Sequence, residues 1–347
     1  MSVRRAIAIG AGVAGLVCAR RLYQAGYQVR VLEKSRGLGG RVATRRVTFD
    51  GEGQTVRVDH GTQYISPKSK PFRNLMQELL DVGVGKEWTR MLHVLNEKGL
   101  QPDGKTTPRY VCSEGMSAIA KHLAGDLDIQ TQTRVIHLRR RGKGWVALAE
   151  GDREFEADIA IVAIPAPQAA DILQPALDAK EISGRDPAIV AMQEARYAPC
   201  IAVMAGYAAM TLPPEWHGII WTNDEAIAWL ASDSSKRSNP DAPAIVVHST
   251  ADFARGCLDA SREDLEAIGA QLLGRAAQRL GAWLASPEWM QVHRWRYALP
   301  ETHSEQKSWA IADGSLVLAG DWCVGARVES AYVSGLDAAE RVLGTIV

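Results

Sequence analysis

Several things are scarce in this chain of 347 residues, and each shortage excludes something. Five cysteines, at 18, 112, 200, 257 and 323, form no CxxC pair and leave an odd total. A disulfide scaffold or a zinc site is not expected, and a reducing compartment is the default. Net charge is missing as well, since 40 basic side chains meet 40 acidic ones. Proteins that hold nucleic acid or an anionic membrane surface carry a basic excess, so neither partner is expected. No apolar run approaches the ~18 residues of a membrane span. Residues 1–19, with Arg4 and Arg5 ahead of an apolar stretch, have the outline of a secretory signal, but the glycines at 10, 12 and 15 argue against one. The chain reads as soluble and cytoplasmic. It shows no Ser/His/Asp arrangement, no HExxH helix, no carboxylate-rich metal loop, no repeat and no low-complexity tail. Phenylalanine is rare, 4 against 10 tryptophans, and eight of those tryptophans follow residue 210. The two halves therefore differ in task, and the length suits about two domains with a sizeable core.

The first half opens on a nucleotide pattern. Residues 3–9 are an apolar, β-branched run that stops at Gly10. Gly10-Ala11-Gly12-Val13-Ala14-Gly15 follows, then helical spacing over 16–23, a stop at Gly26 and a second strand over 28–32. One glycine makes the tight turn, one lets the backbone approach a pyrophosphate, and one lets helix and strand pack closely. The helix start then offers free N–H groups and the positive end of its dipole. Glu33 closes the second strand, where a carboxylate can accept from a ribose diol. Strand, glycines, helix and acid together make a strong signature where the glycines alone are weak.

The next residues favour a flavin over a nicotinamide as cofactor. Arg36-Gly37-Leu38-Gly39-Gly40-Arg41 places a flexible loop and two guanidiniums near the same pyrophosphate. Here the chain resembles the FAD-dependent oxidoreductases that share the p-hydroxybenzoate hydroxylase and amine oxidase fold. The resemblance implies FAD contacts at Gly10, Gly12, Ala14 and Gly15, at Glu33, Lys34 and Arg36, and at Gly40 and Arg41. The far end agrees: an apolar strand over 315–319, then Gly320-Asp321-Trp322, then Glu329-Ser330-Ala331 opening a final helix to 343. By resemblance, Asp321 reaches the ribityl or pyrophosphate part, and the helix start at Glu329, Ser330 and Ala331 faces the flavin N1/C2 carbonyl. In the middle, Asp59-His60-Gly61-Thr62-Gln63-Tyr64 is similar to the segment that passes the isoalloxazine, so His60, Gly61, Thr62 and Gln63 are expected beside the ring. Gly61 is expected because close approach to a planar ring needs a missing side chain. Val135, after the small-residue helix of 118–123, is similar to the valine whose backbone binds adenine.

The expected fold class is α/β. A Rossmann-type FAD-binding domain, residues 1–60, 107–165 and 295–347, interleaves with a mixed-sheet substrate domain, residues 61–106 and 166–294. Strands are expected over 201–207, 218–222, 227–231 and 244–249. A helix over 261–283 starts with Ser261 and Asp264 as a capping box, and residues 232–243 read as a solvated hairpin loop. Tyr64, Trp221, Asn223, His248, Trp295 and Tyr297 are the expected substrate contacts, since a tryptophan-rich half suits a flat substrate stacked over a flat cofactor.

RVATRR after the glycine loop, DHGTQY, and the WRYALPE segment together resemble the renalase family, above all its short bacterial members. That implies oxidation of isomeric dihydronicotinamide dinucleotides, 2-dihydro and in some members 6-dihydro forms, by hydride transfer to flavin N5, with O2 reduced to hydrogen peroxide. A dihydropyridine that loses hydride becomes aromatic and has no proton to shed, so no obligate acid or base is expected, and no metal. A monoamine or polyamine oxidase is the alternative. Such enzymes commonly place a lysine from the substrate sheet near N5, whereas Lys180, Lys236 and Lys307 all lie outside apolar strands. Covalent members carry a cysteine before the last glycine-acid motif, but Cys323 follows Asp321, which implies non-covalent FAD. A non-catalytic FAD-binding sensor is a further alternative, and oligomeric state is left open.

Overall fold

The computed structural model describes residues 3–48, 55–208, 211, 214–238 and 243–344. The strand Arg5–Ile9, RAIAI, is buried at four of five positions, and a strand apolar on both faces belongs inside a parallel sheet. It pairs in parallel with Gln28–Leu32 on one side and Ile159–Val162 on the other. Asp128–Gln130 extends the sheet past Gln28–Leu32. Leu316–Leu318 and then antiparallel Trp309–Ile311 extend it past Ile159–Val162, giving six strands. The helices Val13–Gln24, Ala118–Ala124 and Val328–Gly344 cover one face, through Leu16, Leu22, Ile119, Ala338 and Val342. The other face packs on an antiparallel three-stranded sheet of Val135–Arg141, Gly144–Ala149 and Arg153–Ala157, with Leu138 and Trp145 against Ile7 and Val162. This is the mixed α/β, Rossmann-type arrangement the sequence implies.

A second sheet of seven strands lies beside it. Its order is Trp289–Pro300, Tyr197–Gly206, Ala244–Ser249, Ile227–Ser232, Gly218–Trp221, His93–Asn96 and Gly99–Pro102. Pairing is antiparallel throughout, save where Gly218–Trp221 meets His93–Asn96 in parallel. The helix Arg262–Leu280 covers one face with Leu272, Leu273 and Ala276 against Ile201, Ile219 and Val247. The Ser261 hydroxyl and the Asp264 carboxylate each accept from the other's backbone N–H, a complete capping box.

Three expectations change. The strand Trp289–Pro300 runs unbroken through position 295, so the interleaving there falls inside a strand of the seven-stranded sheet. The helix Lys70–Asp81, inside the insert 61–106, packs by Phe72, Leu75 and Leu79 on the Rossmann-side helices instead of on the second sheet. The loop after Ser232 is not solvated at its start: Ser232, Asp233, Ser234 and Lys236 are buried, because Asp233, Lys236 and Arg237 there and Asp59 from a distant strand neutralise one another. The far part of that loop, 239–242, lies outside the described residues. Among the described residues no helix is long and apolar enough to cross a membrane.

Candidate active site

Where the two sheets face each other a cavity of about 1940 Å³ runs from Gly10 and Glu33 to His248 and Trp295. A pocket for one small ligand spans about 300–1,000 Å³, so this space holds a large cofactor and leaves room beside it. The nucleotide end follows from local geometry. Gly12 caps the helix Val13–Gln24, and a Cβ placed on it would meet nothing within 4 Å, so open space lies before the free N–H groups. Gly15 sits behind this space against the Gly10 carbonyl, which closes the strand-to-helix turn. Each Glu33 oxygen accepts one backbone N–H at 2.8 Å, from Ala11 and from Ser35. A carboxylate offers about four lone-pair sites, so Glu33 is held in place and still has capacity for a ribose diol. Lys34 reaches Gln168 at 3.5 Å on the cavity wall, and Val135 lines the same end.

Arg41 and Asp321 meet as a bidentate pair, both N–O distances being 2.7 Å. Burial raises the Asp321 carboxyl above the usual carboxylate range, against the pull of Arg41. Cys323, two residues on, is buried outside the cavity. The final helix, Val328–Gly344, brings Ala331 to the cavity wall. Glu329 also lines the wall, but its carboxylate accepts from Lys68 and Ser69 N–H at the start of the helix Lys70–Asp81. It braces one helix start against another.

The segment His60–Tyr64 crosses the middle of the cavity, and its shape has a cause other than the one expected. A Cβ on Gly61 would collide with the Arg41 carbonyl, the same oxygen that accepts from Thr62 N–H at 2.8 Å. The missing side chain is required by protein backbone, before any ring is considered. The His60 carbonyl accepts from Trp295 Nε1 at 2.9 Å and from His248 Nε2 at 3.2 Å. Register explains why these donors converge. Trp229, His248, Ala202 and His293 are successive partners across four adjacent strands, so their side chains share one sheet face, and Trp295 is two residues beyond His293. His60 stacks on Trp295 at 5.3 Å and meets His293 edge-on at 4.9 Å. Tyr64 leans on Trp229 at 5.7 Å. Burial lowers His60 to about 3, helped by His293 and Arg45. Burial, then Lys236, lowers His248 to about 4, and burial, then Arg45, lowers His293 to about 4. All three imidazoles are neutral at ordinary pH, so this wall offers hydrogen bonds and π-faces but no ready general acid.

Behind the segment lies a buried charge cluster. The Lys236 ammonium is 2.8 Å from Asp233, 3.7 Å from Asp59 and 3.0 Å from Gln63 Oε1. The Arg237 guanidinium is 2.9 Å from both carboxylates. Asp59 also accepts from the Thr44 hydroxyl and from Met116 N–H. Burial alone would raise Asp59, but Lys236 and Arg237 bring it below the usual range, while burial holds Asp233 above it. Because the lysine donates to Gln63 Oε1, the amide nitrogen is left to donate to the Asp59 and Gly61 carbonyls, which sets its orientation. Lys236 thus lies outside any strand, as its sequence context suggested, yet its ammonium is buried against the site.

The residues expected in the site border this cavity, with four exceptions. Gly15 and Ser330 stand one layer behind it. Trp221 points to the opposite face of the seven-stranded sheet, in the core with Leu95 and Ile219. Asn223 is exposed and takes the left-handed conformation of a turn, φ 62°. Contrary to expectation, Trp221 and Asn223 are not placed to contact a substrate: strand parity turns the first away from the cavity and turn chemistry leaves the second exposed. Sequence reading missed His293, Trp229 and Arg45. The first had a usable signal, because His293, Trp295 and Tyr297 alternate along one strand.

A dinucleotide-type sheet, a second sheet closing over it, and a long cavity with matched features at both chain ends define a flavin-dependent oxidoreductase. Residues 100–343 match the family described as flavin containing amine oxidoreductase, and residues 9–79 match the NAD(P)-binding Rossmann-like domain. The first match spans well over half the chain, which belongs to that family. Flavin-dependent L-tryptophan oxidase RebO of Lentzea aerocolonigenes is 40% identical over 87 residues, 20% of this chain and 18% of that one. The chain thus spans under a fifth of this curated relative. Putrescine oxidase bound to putrescine superposes with a TM-score of 0.70 at 15% identity, covering 99% of both chains. Cyclohexylamine oxidase from Brevibacterium oxydans IH-35A gives 0.68 at 13%, again covering 99% of both. At these identities the likeness is one of fold. The open space before Gly12, the anchored Glu33 and the cavity length fit FAD as the cofactor.

Proposed function

We propose that the protein oxidises a dihydronicotinamide dinucleotide isomer, the 2-dihydro or 6-dihydro form of NAD(P)H, as its resemblance to the renalase family implies. Bound without a covalent link, FAD would supply N5 as the hydride acceptor and the route for the two electrons to O2, giving hydrogen peroxide. Charge in the cavity carries the reading. A dozen lysines and arginines border it against five carboxylates, in a chain whose charges balance overall. The phosphates of FAD take up part of that excess. On the substrate side, Arg45 has no carboxylate partner among the described residues. A unit charge about 8 Å from such a guanidinium feels about 2 kcal/mol at an effective dielectric near 20. The sign favours a phosphate and opposes an ammonium. The chain's own part is alignment: the imidazole and indole wall holds a flat ring, and departure of hydride leaves an aromatic pyridinium with no proton to remove. The interleaved two-domain division belongs to the same proposal, with the strand Trp289–Pro300 given whole to the seven-stranded sheet and the helix Lys70–Asp81 to the six-stranded one.

The family favours an amine oxidase as the second reading, and the buried Lys236 is the observation behind it. That ammonium, however, is taken up by Asp233 and Gln63. Anaerobic mixing of FAD-loaded protein with 2-dihydro-NAD, 6-dihydro-NAD, ordinary NADH, putrescine and L-tryptophan separates the two. Rapid bleaching of the flavin by a 2- or 6-dihydro isomer is expected. Bleaching by an amine or amino acid, with none by those isomers, refutes the proposal.

A further inference from the structure

Arg45 lies on the strand Thr44–Thr48 and reaches across to the edge strand of the seven-stranded sheet, where its Nη2 is 3.4 Å from Nδ1 of His293. A guanidinium only donates, so His293 Nδ1 accepts and carries its proton on Nε2. Nε of Arg45 is buried and has no partner, and Nδ1 of His60, in the ring beside His293, is orphaned in the same way. No carboxylate among the described residues pairs with Arg45. A buried donor without an acceptor is costly, and so is a half-buried cation without a counter-charge. Both costs disappear when an anionic oxygen enters here. FAD is poorly placed to provide it. Held as the resemblance implies, its phosphates would lie before the helix Val13–Gln24 and its pyrimidine edge before Val328–Gly344, both on the six-stranded sheet. His293 stands on the other sheet, in the row of His248 and Trp229, and Arg45 reaches it there.

We propose that Arg45, positioned by His293, recognises an anionic oxygen of the substrate, and that with His60, in the tautomer whose Nδ1 carries the proton and donates, it forms a subsite for a phosphate or carboxylate attached to a flat ring. The inference rests on reading the cavity as one for an anionic substrate. It does not depend on which ring isomer reacts. Two sources share this chemistry, the phosphate of a dinucleotide and the carboxylate of an aromatic acid.

Oxidised FAD-loaded protein titrated with nicotinamide mononucleotide against nicotinamide riboside, and with benzoate against benzamide, tests it through perturbation of the flavin spectrum. Wild type should prefer the anionic member of at least one pair by about tenfold or more. Arg45→Gln and Arg45→Met should remove that preference, leave the affinity of the neutral partner within about twofold, and leave FAD affinity unchanged; Arg45→Lys should keep part of it. Preference for the mononucleotide supports both the subsite and the dinucleotide reading. Preference for benzoate alone keeps the subsite and overturns the dinucleotide. The subsite is refuted if wild type prefers neither anion, if the preference survives in Arg45→Met, or if both Arg45→Gln and Arg45→Met release FAD, which would assign Arg45 to the cofactor.

Discussion

Replacing Lys236 by methionine keeps the length of the side chain and deletes one charge from a buried set of four. Wild type balances Asp59 and Asp233 against Lys236 and Arg237, with the lysine ammonium 2.8 and 3.7 Å from the two carboxylates. At an effective dielectric near 20 those two attractions amount to about 10 kcal/mol. Part of that is returned, because an ammonium no longer has to be stripped of water, and breaking a buried pair costs about 3–5 kcal/mol net. At about 2 °C per kcal/mol for a chain of this size, the midpoint of thermal unfolding should fall by about 6–10 °C. The loss should also depend on pH. Burial already raises the Asp233 carboxyl, and without Lys236 its folded-state value rises further above the unfolded one. A carboxyl raised on folding destabilises when ionised, so the deficit should grow as pH rises through the range in which Asp233 loses its proton and shrink as pH falls. Lys236→Met with Asp233→Asn restores neutrality and should recover at least half of the loss. Differential scanning fluorimetry on wild type, each of the two single variants and the double variant measures all of this. A Lys236→Met variant within about 1 °C of wild type, or a double variant whose loss equals the sum of the single losses, refutes the reasoning.

Gly61→Ala sets a Cβ against the Arg41 carbonyl, and overpacking of this kind costs about 1–3 kcal/mol. FAD should bind about tenfold more weakly with the fold intact, measured by flavin fluorescence and circular dichroism; unchanged affinity would show that residues 60–63 can shift freely. With His60 at about 3 and His248 and His293 at about 4, the rate of flavin reduction should stay flat from about pH 5.5 to 8, and an inflection near the ordinary histidine value of about 6.5 would contradict the neutral wall. Because these values are depressed on folding, the unfolded chain binds more protons, and stability should decline as pH falls from about 6.5 toward 4.

The nucleotide end was readable because local rules determine it. Gly10 to Gly15, Glu33 and the continuously apolar strand act over a few residues, and Ser261 with Asp264 announces a helix start within one turn. What lay hidden depends on partners far away in the chain. Glu329 has a helix start more than two hundred residues upstream as its partner, and nothing adjacent to it in sequence says so. Asp233, Lys236 and Arg237 read as a polar loop because their neutralising partner, Asp59, lies about 175 residues earlier. Trp221 was misplaced because a tryptophan suits either face of a sheet, and only the parity of the strand decides between them. Conversely, His293 was recoverable from its alternation with Trp295 once that segment was recognised as a strand.

Arg41 and Asp321 clasp each other across 280 residues of chain. The wall they form exists only after the last strands, Trp309–Ile311 and Leu316–Leu318, have joined the sheet that begins at Arg5. A nascent chain that has made its glycine turn can therefore display the nucleotide fingerprint long before it has a flavin site. Cofactor loading becomes a report on completed synthesis: a chain cut short before residue 309 keeps Glu33 and the first helix but lacks the outer strands, Asp321 and the final helix start.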